Sequence, residues 1–582
     1  MSSLSPDRNA AIAGAGSPNR PPQGELPHPR EGREEAGTIR LPEKLASERW
    51  IAFLLFVLSC AYLCLFTRYT TIDPDEGIVL QGAQRILQGQ VLYRDFFSFF
   101  TPGSYYLLAL LFKIFGSSIL IGRSALVIYG GLFSALTYLL ARRVCSRWSA
   151  VTAACLVGLI ALPYRFLVLH NWDSTLWAYL ALYCAVWFLQ LPQSVWAVGI
   201  GFFSALTFLF EQSKGAGLML GLGVGGLLIV FGGRRGEPFQ SRHVVALMAG
   251  FASPFLATLA FFAAWHSLSL MLHDWFWPVY HYHGMNSVPF AYQNWSDHTR
   301  EVLAGDSSWF QWVVSALVIS PCFIMPVLPI LALGGLAYWA VEAFRSKRPV
   351  ELSSYYILVC AGLSGLLLSI VIARADIVHV MYLAPPFCLV LAWILDGKYL
   401  RSGLLPWIRP ALNIFLTVSF AALGMALLLT ALSAHRTVVT RRGTLRTGAP
   451  DTVIEYIQAW VPDGQKIFVY PYLPLYYYLT RTASPTRYEY LQPGMHTPQQ
   501  SEEALRQLIS DRTRVVLLEL SFAEKIPTSW PSTPVRFIAN DPLADYVLQH
   551  YRGCRILRSP QGWRFLFMIR NDLVCPGVFA SD

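Results

Sequence analysis

The sequence predicts a mainly α, polytopic helical membrane protein with a small α/β domain at its C-terminal end. Three observations predict it. Of 582 residues, 54% are hydrophobic and only 14% are charged, where soluble globular chains carry about 25% charged residues. The apolar residues come in long unbroken runs, not in the alternating strands of an outer-membrane barrel. From about residue 433 the composition changes, and short helix and strand signals alternate. These features exclude a large soluble enzyme and a chain that is mostly disordered.

Residues 1–48 are rich in Pro, Gly, Arg and Glu and lack apolar periodicity, so they read as a disordered cytoplasmic tail. The first apolar run starts too late and runs too long for a cleaved signal peptide. Residues 49–432 hold about eleven runs near the length of about 20 residues that a crossing helix needs. They are Trp50–Phe66, Ile119–Leu140, Ser149–Val168, Leu176–Leu191, Val195–Phe210, Ala216–Phe231, Val244–Trp265, Trp312–Tyr338, Tyr355–Ala373, Val380–Leu395 and Ala411–Leu432. The eighth contains Pro321, Pro326 and Pro329 and is expected to kink.

Basic residues set the orientation. Arg142, Arg143 and Arg147 share a side with Arg234, Arg235 and Arg242, with Arg345, Lys347 and Arg348, and with Lys398, Arg401 and Arg409. The positive-inside rule makes that side cytoplasmic and accounts for the net charge of +10. No basic stretch is interleaved with aromatics as in a nucleic-acid platform, so no nucleic-acid partner is expected. With an odd number of spans, residues 433–582 lie outside. The first outer loop, 68–118, contains two amphipathic stretches, Gly77–Gln90 and Gly103–Phe115, that suit the membrane interface. No internal repeat is visible, against the inverted-repeat plan of transporters.

In the C-terminal region, helices are expected at Thr452–Trp460, Ser501–Ser510 and Asp545–Tyr551. Strands are expected at Lys466–Tyr470 and Arg514–Leu520, with a hairpin from Arg555–Leu557 and Trp563–Ile569. Most of the ten Cys lie in apolar runs as small hydrophobes. Cys554 and Cys575 share the outer region, where a disulfide can form.

The strongest chemical signal is Thr71-Ile72-Asp73-Pro74-Asp75-Glu76-Gly77, directly after the first span. Clustered carboxylates repel unless a cation, proton or hydrogen-bond donor compensates them. Such a cluster suits a general base, a divalent-metal site or both; a solvated acidic helix start is the other reading. The chain continues with Tyr93-Arg94-Asp95, then Thr101-Pro102-Gly103-Ser104-Tyr105-Tyr106-Leu107, then Phe112-Lys113-Ile114-Phe115-Gly116 and Arg123.

This opening resembles that of the GT-C membrane glycosyltransferases, and most of all the bacterial branch of glycosyltransferase family 39. That branch is similar to the protein O-mannosyltransferases and the lipid A aminoarabinose transferases. The resemblance extends to the outer domain with its stretch Tyr470–Leu479. It implies a GT-C fold in a bacterial inner membrane with the C-terminal domain in the periplasm. It also implies transfer of a sugar from a polyprenyl-phosphate donor to a glycan, lipid or protein acceptor at the outer face. The family's catalytic carboxylate maps to Asp75 or Glu76, with Asp75 favoured. Asp73 departs from a simple Asp-Glu pair and supports it, as do Tyr93 and Arg94. A second family acid maps near Asp173, in His170-Asn171-Trp172-Asp173, where a helix N-cap is the other reading.

The chemistry of the residues agrees with that implication. A sugar hydroxyl is a poor nucleophile, and a carboxylate can take its proton as the bond forms. A phosphate leaving group needs positive charge. A single inverting displacement is expected. The phosphate candidates are Arg374 and His379 in Arg374-Ala375-Asp376-Ile377-Val378-His379, with Asp376 holding either one. Lys214 in Glu211-Gln212-Ser213-Lys214 is a third candidate, against a plain ion pair with Glu211. A divalent ion, Mg or Mn, on Asp75 and Asp173 stands beside a base that needs no metal. The competing function is a transporter or flippase for a lipid-linked saccharide, which would place its ionisable residues near mid-membrane.

Overall fold

The computed structural model describes residues 45–231, 240–293, 308–345, 350–397, 408–492, 494–533 and 541–576. The expected tail up to residue 44 lies outside them, as do Arg234, Arg235, Lys347, Arg348, Lys398 and Arg401. Helix α1 (Leu45–Leu63) begins inside the region read as tail.

Among the described residues, eight helical segments are long and apolar enough to cross a membrane. They include α1, α4 (Ile119–Ala141), α5 (Arg147–Tyr164), α8 (Gln212–Phe231) and α9 (Ser241–Ala264). The others are Trp309–Ala343, Leu352–Ala373 and Arg409–Leu432. Three further runs form α6 (His170–Gln190), α7 (Ser194–Phe210) and the helix Ala384–Asp396. Close backbone approach packs the bundle: a Cβ on Gly217 of α8 would sit 2.3 Å from the Gly365 carbonyl oxygen.

Prolines explain where the structure departs from the expected runs. The run Val380–Leu395 is not one helix but two, Ile377–Tyr382 and Ala384–Asp396. Pro385 and Pro386 sit in the first turn of the second, where their missing N–H groups cost nothing. The kinked run divides into Trp309–Ile324 and Val327–Arg345 around Pro326. The run Ser149–Val168 leaves the helix after Tyr164, just past Pro163, and this frees Arg165.

The two ends of the bundle differ. At one end Glu48 of α1 pairs with Arg147 at 2.8 Å and with Arg142 at 3.4 Å. The Ser146 N–H there donates to Asp396 at 2.7 Å. At the other end lie the first loop and the C-terminal domain, joined where Thr70 N–H donates to the Arg446 carbonyl at 2.9 Å. The first loop carries α2 (Pro74–Leu87) and α3 (Gly103–Phe115), matching the two amphipathic stretches.

The C-terminal domain begins with a hairpin of β1 (Arg436–Thr440) and β2 (Gly443–Thr447) that sequence reasoning missed. A four-stranded sheet follows in the order β3-β4-β6-β5, comprising β3 (Phe468–Tyr470), β4 (Val515–Glu519), β5 (Tyr551–Arg558) and β6 (Arg564–Arg570). β3 and β4 run parallel, and β5 and β6 form the expected antiparallel hairpin. Cys554 and Cys575 are disulfide-bonded, with Cα atoms 5.5 Å apart.

One contact matters most for the site. The helix Leu475–Thr480, with Tyr476, Tyr477 and Tyr478 buried, packs against α2. A Cβ on Gly77 would lie 2.1 Å from the Leu475 backbone nitrogen, so only glycine permits this approach. The acidic first turn of α2 is thereby pinned between the bundle and the C-terminal domain.

Candidate active site

Asp73 is the N-cap of α2, and its side chain accepts from the Asp75 N–H at 3.0 Å. Pro74 follows in the first helical turn, a position pre-set by its fixed φ. Asp75 Oδ2 and Asp73 Oδ2 both accept from one terminal nitrogen of Arg165, at 3.0 and 2.8 Å. Asp75 Oδ1 accepts from the Tyr472 hydroxyl of the C-terminal domain. The Arg165 Nε is buried and has no hydrogen-bond partner.

Asp73, Asp75 and Arg165 line a cavity of about 540 Å³. On its wall lie also Arg374, Asp376 and His379, some 300 positions later in the chain. Arg374 donates to Asp376 at 2.5 Å, to Asn286 at 2.7 Å and to the Ser529 carbonyl at 2.5 Å. Asp376 caps the helix Ile377–Tyr382 and accepts from both the backbone N–H and Nδ1 of His379, at 2.9 and 2.6 Å. His379 also lines the cavity, with 29% of its side chain exposed.

Two of these acids are shifted in opposite directions. Burial drives Asp73 up to about 6, against the pull of Arg165 and with help from the like charge of Asp75. Burial would also raise Asp376, but His379 and Arg374 beside it hold its carboxyl well below the usual range. Burial, then the negative charge of Asp75, pushes the Tyr472 hydroxyl well above its ordinary value, so it stays a donor to Asp75.

Other sequence candidates lie elsewhere. Glu76 is fully buried and paired in parallel with Arg123, at 2.9 and 2.6 Å, while also accepting from Val168 N–H at 3.1 Å. It does not line the cavity. Asp173 is in the first turn of α6 and is not its cap, which is Leu169. It accepts from Ser104 at 2.5 Å and borders a separate small void of about 20 Å³. Lys214 is buried among Glu211 at 2.8 Å, the Asn171 carbonyl at 3.0 Å, Ser174 at 2.9 Å and Thr175 at 3.2 Å. Four acceptors exhaust its three N–H bonds. Tyr93 is buried, taking a bond from Trp275 and giving one to the Phe100 carbonyl, both at 2.8 Å. Arg94 pairs with Asp95 at the surface.

Among the described residues, no three His, Cys, Asp or Glu side chains gather as metal ligands. Asp75 and Asp173 do not share a cavity. Asp73 and Asp75 do, but Arg165 already supplies the cation that a metal would. The donor set is that of an ion-pair cluster.

Sequence reasoning missed Arg165 and Tyr472. A signal for Arg165 was present: a lone arginine inside an otherwise apolar run marks function by default. Tyr472 is one aromatic among many in Tyr470–Leu479, and nothing local distinguishes it.

Residues 101–261, from the start of α3 to near the end of α9, match the family model described as dolichyl-phosphate-mannose-protein mannosyltransferase. No curated protein matches the chain. Among solved structures, the oligosaccharyltransferase AglB of Archaeoglobus fulgidus, in complex with an inhibitory peptide and a dolichol-phosphate, is similar at a TM-score of 0.48 and 12% identity. That likeness covers 91% of this chain and 75% of AglB. ArnT of Cupriavidus metallidurans, bound to undecaprenyl phosphate, is similar at 0.46 and 13%, covering 90% of this chain and 97% of ArnT. The match agrees with the resemblance from Thr101 onward; Asp73, Asp75 and Glu76 lie before it. The chain is thus a multi-span membrane protein by helix length and composition, and over 161 of its 582 residues it is similar to a family described as transferring mannose from a dolichyl-phosphate donor to protein.

Proposed function

We propose that this protein transfers a sugar from a polyprenyl-phosphate donor to a glycan, lipid or protein acceptor at the outer face of a bacterial inner membrane. One observation carries the reading: Asp75 and the Arg374–Asp376–His379 cluster line the same cavity, at the end of the bundle where the C-terminal domain sits.

Asp75 is the general base. It takes the proton of the acceptor hydroxyl as that oxygen attacks the anomeric carbon. Tyr472 and Arg165 orient its carboxylate. The bond to the carrier phosphate breaks in the same step, so the sugar inverts and no covalent intermediate forms. Arg374, His379 and the unpartnered Nε of Arg165 stabilise charge on the departing phosphate. Asp376 keeps Arg374 and His379 in place. Asp73 caps the helix that presents Asp75.

The test is release of polyprenyl phosphate from sugar-loaded carrier by the purified protein in nanodiscs. Asp75→Asn should abolish acceptor-dependent release. Release at the wild-type rate in that variant would remove the base. Movement of sugar-lipid between leaflets without any release would replace the transferase with a flippase.

A further inference from the structure

The transferase reading leaves open what holds the sugar ring itself, and the wall of the cavity supplies a candidate. The segment Thr528–Ser532 belongs to the C-terminal domain and runs out of the last turn of the helix Phe522–Ser529. Three hydrogen bonds fasten it to the loop residues Ser287 and Tyr292 and to Arg374, just past the span Leu352–Ala373. Tyr292 donates to the Thr528 carbonyl at 3.1 Å, Arg374 to the Ser529 carbonyl at 2.5 Å, and Ser532 to the Ser287 carbonyl at 2.9 Å. In the middle of this strap stands Trp530, half-buried, its side chain lining the cavity.

Its neighbours locate it between the two reactive clusters. On one side its ring meets that of Tyr472 at 5.9 Å, and Tyr472 donates to Asp75. On the other, the adjacent Ser529 carbonyl binds Arg374. The contacts therefore run from Asp75 through Tyr472 to the Trp530 ring, and from the backbone of the preceding residue, Ser529, to Arg374. In an inverting transfer the anomeric carbon bonds to the departing phosphate oxygen and is attacked by the acceptor oxygen beside the base. The sugar ring must lie between those two places, in the cavity whose wall includes Trp530.

We infer that Trp530 is the stacking platform for the donor sugar, and that it selects a ring presenting a contiguous C–H face. This rests on the transferase reading. An indole suits the task because it offers a large rigid apolar surface and a polar edge. The three-point strap holds that surface still, so little order has to be gained when the sugar arrives. The C-terminal domain thus contributes to donor recognition.

The test compares two lipids on one protein. Binding of bare undecaprenyl phosphate is measured in nanodiscs beside the tightest-bound of undecaprenyl-phosphate mannose, glucose and arabinose. Wild type should prefer the sugar-loaded lipid. Trp530→Leu, which fills the space without a π face, should lose about 10-fold in affinity for the loaded lipid and nothing for the bare one. Trp530→Tyr should restore most of the loss. Equal affinity of wild type for loaded and bare lipid overturns the platform, as does a Leu variant that weakens both alike or neither. Carrier release, measured separately, reports on the transferase reading. A protein that discriminates loaded from bare lipid through Trp530 yet releases no carrier retains the platform and loses the enzyme.

Discussion

Asp75 and Glu76 are consecutive acids in one helical turn, yet they occupy opposite environments. Asp75 keeps 42% of its side chain exposed on the cavity and shares Arg165 with Asp73. Glu76 has no exposure and is clamped by Arg123. A step of one residue rotates a helix by about 100°, which is enough to send one carboxylate to the cavity and the next into the core. The clamp sets the rotation of α2, and the rotation aims Asp75. Arg374 and Lys214 are both buried; what separates them is that Arg374 lines the cavity, while Lys214 does not and has its N–H bonds taken. In the proposed reading, a charged residue acts on a substrate only where its partners leave it reach.

The comparison can be broken by experiment. Asp75→Asn should cut the transfer rate by about 10²- to 10⁴-fold while the thermal unfolding midpoint stays near wild type; a fall in both would put Asp75 on the structural side. Glu76→Gln leaves a buried guanidinium without its charge partner, so it should lose about 3–5 kcal/mol of stability in denaturant titrations of the detergent-solubilised protein. The double variant Glu76→Leu/Arg123→Met should recover much of that loss, because it removes the stranded charge.

Arg374→Gln should weaken polyprenyl-phosphate binding by about 10- to 100-fold, the worth of a charge-assisted hydrogen bond. Lys214→Met should leave that affinity unchanged, and a phosphate-binding defect in it would erase the distinction between the two cations. Asp73 gives a pH signature. Its folded-state pKa of about 6 lies above its ordinary value of 3.8, so the folded protein holds a proton that the unfolded chain has lost. Its contribution to stability is full below pH about 4 and is lost as pH rises through about 6. Asp73→Asn should flatten the unfolding midpoint across that window, an effect on the order of 1 kcal/mol. Arg94→Ala, at an exposed pair, should change stability by less than about 1 kcal/mol and leave transfer intact.

The sequence reading reached α3 with its exact bounds and α2 to within three residues at either end, because their amphipathic patterns and flanking Pro and Gly are local signals. It reached the hairpin of β5 and β6 for the same reason. It missed β1 and β2, whose short polar strands carry no alternation. It read Val380–Leu395 as one span because apolarity continues across the break at Leu383, and it underweighted the consecutive prolines behind it. Asp75, Arg374, Asp376 and His379 were legible as chemistry-bearing residues. Glu76, Asp173 and Lys214 were equally legible, and only their burial and partners separate them from the first group.

Composition and apolar run length determined the membrane bundle, the outlying α/β domain and the acidic first loop, since each depends on residues close together in the chain. Which acid faces the cavity, which cation answers it, and that Arg165, Tyr472 and Trp530 stand with them were decided by packing between segments far apart in the chain, 90 residues for Asp75 and Arg165 and 397 for Asp75 and Tyr472. Such contacts follow from the rotation of helices and the seating of one domain on another, and no local pattern encodes either.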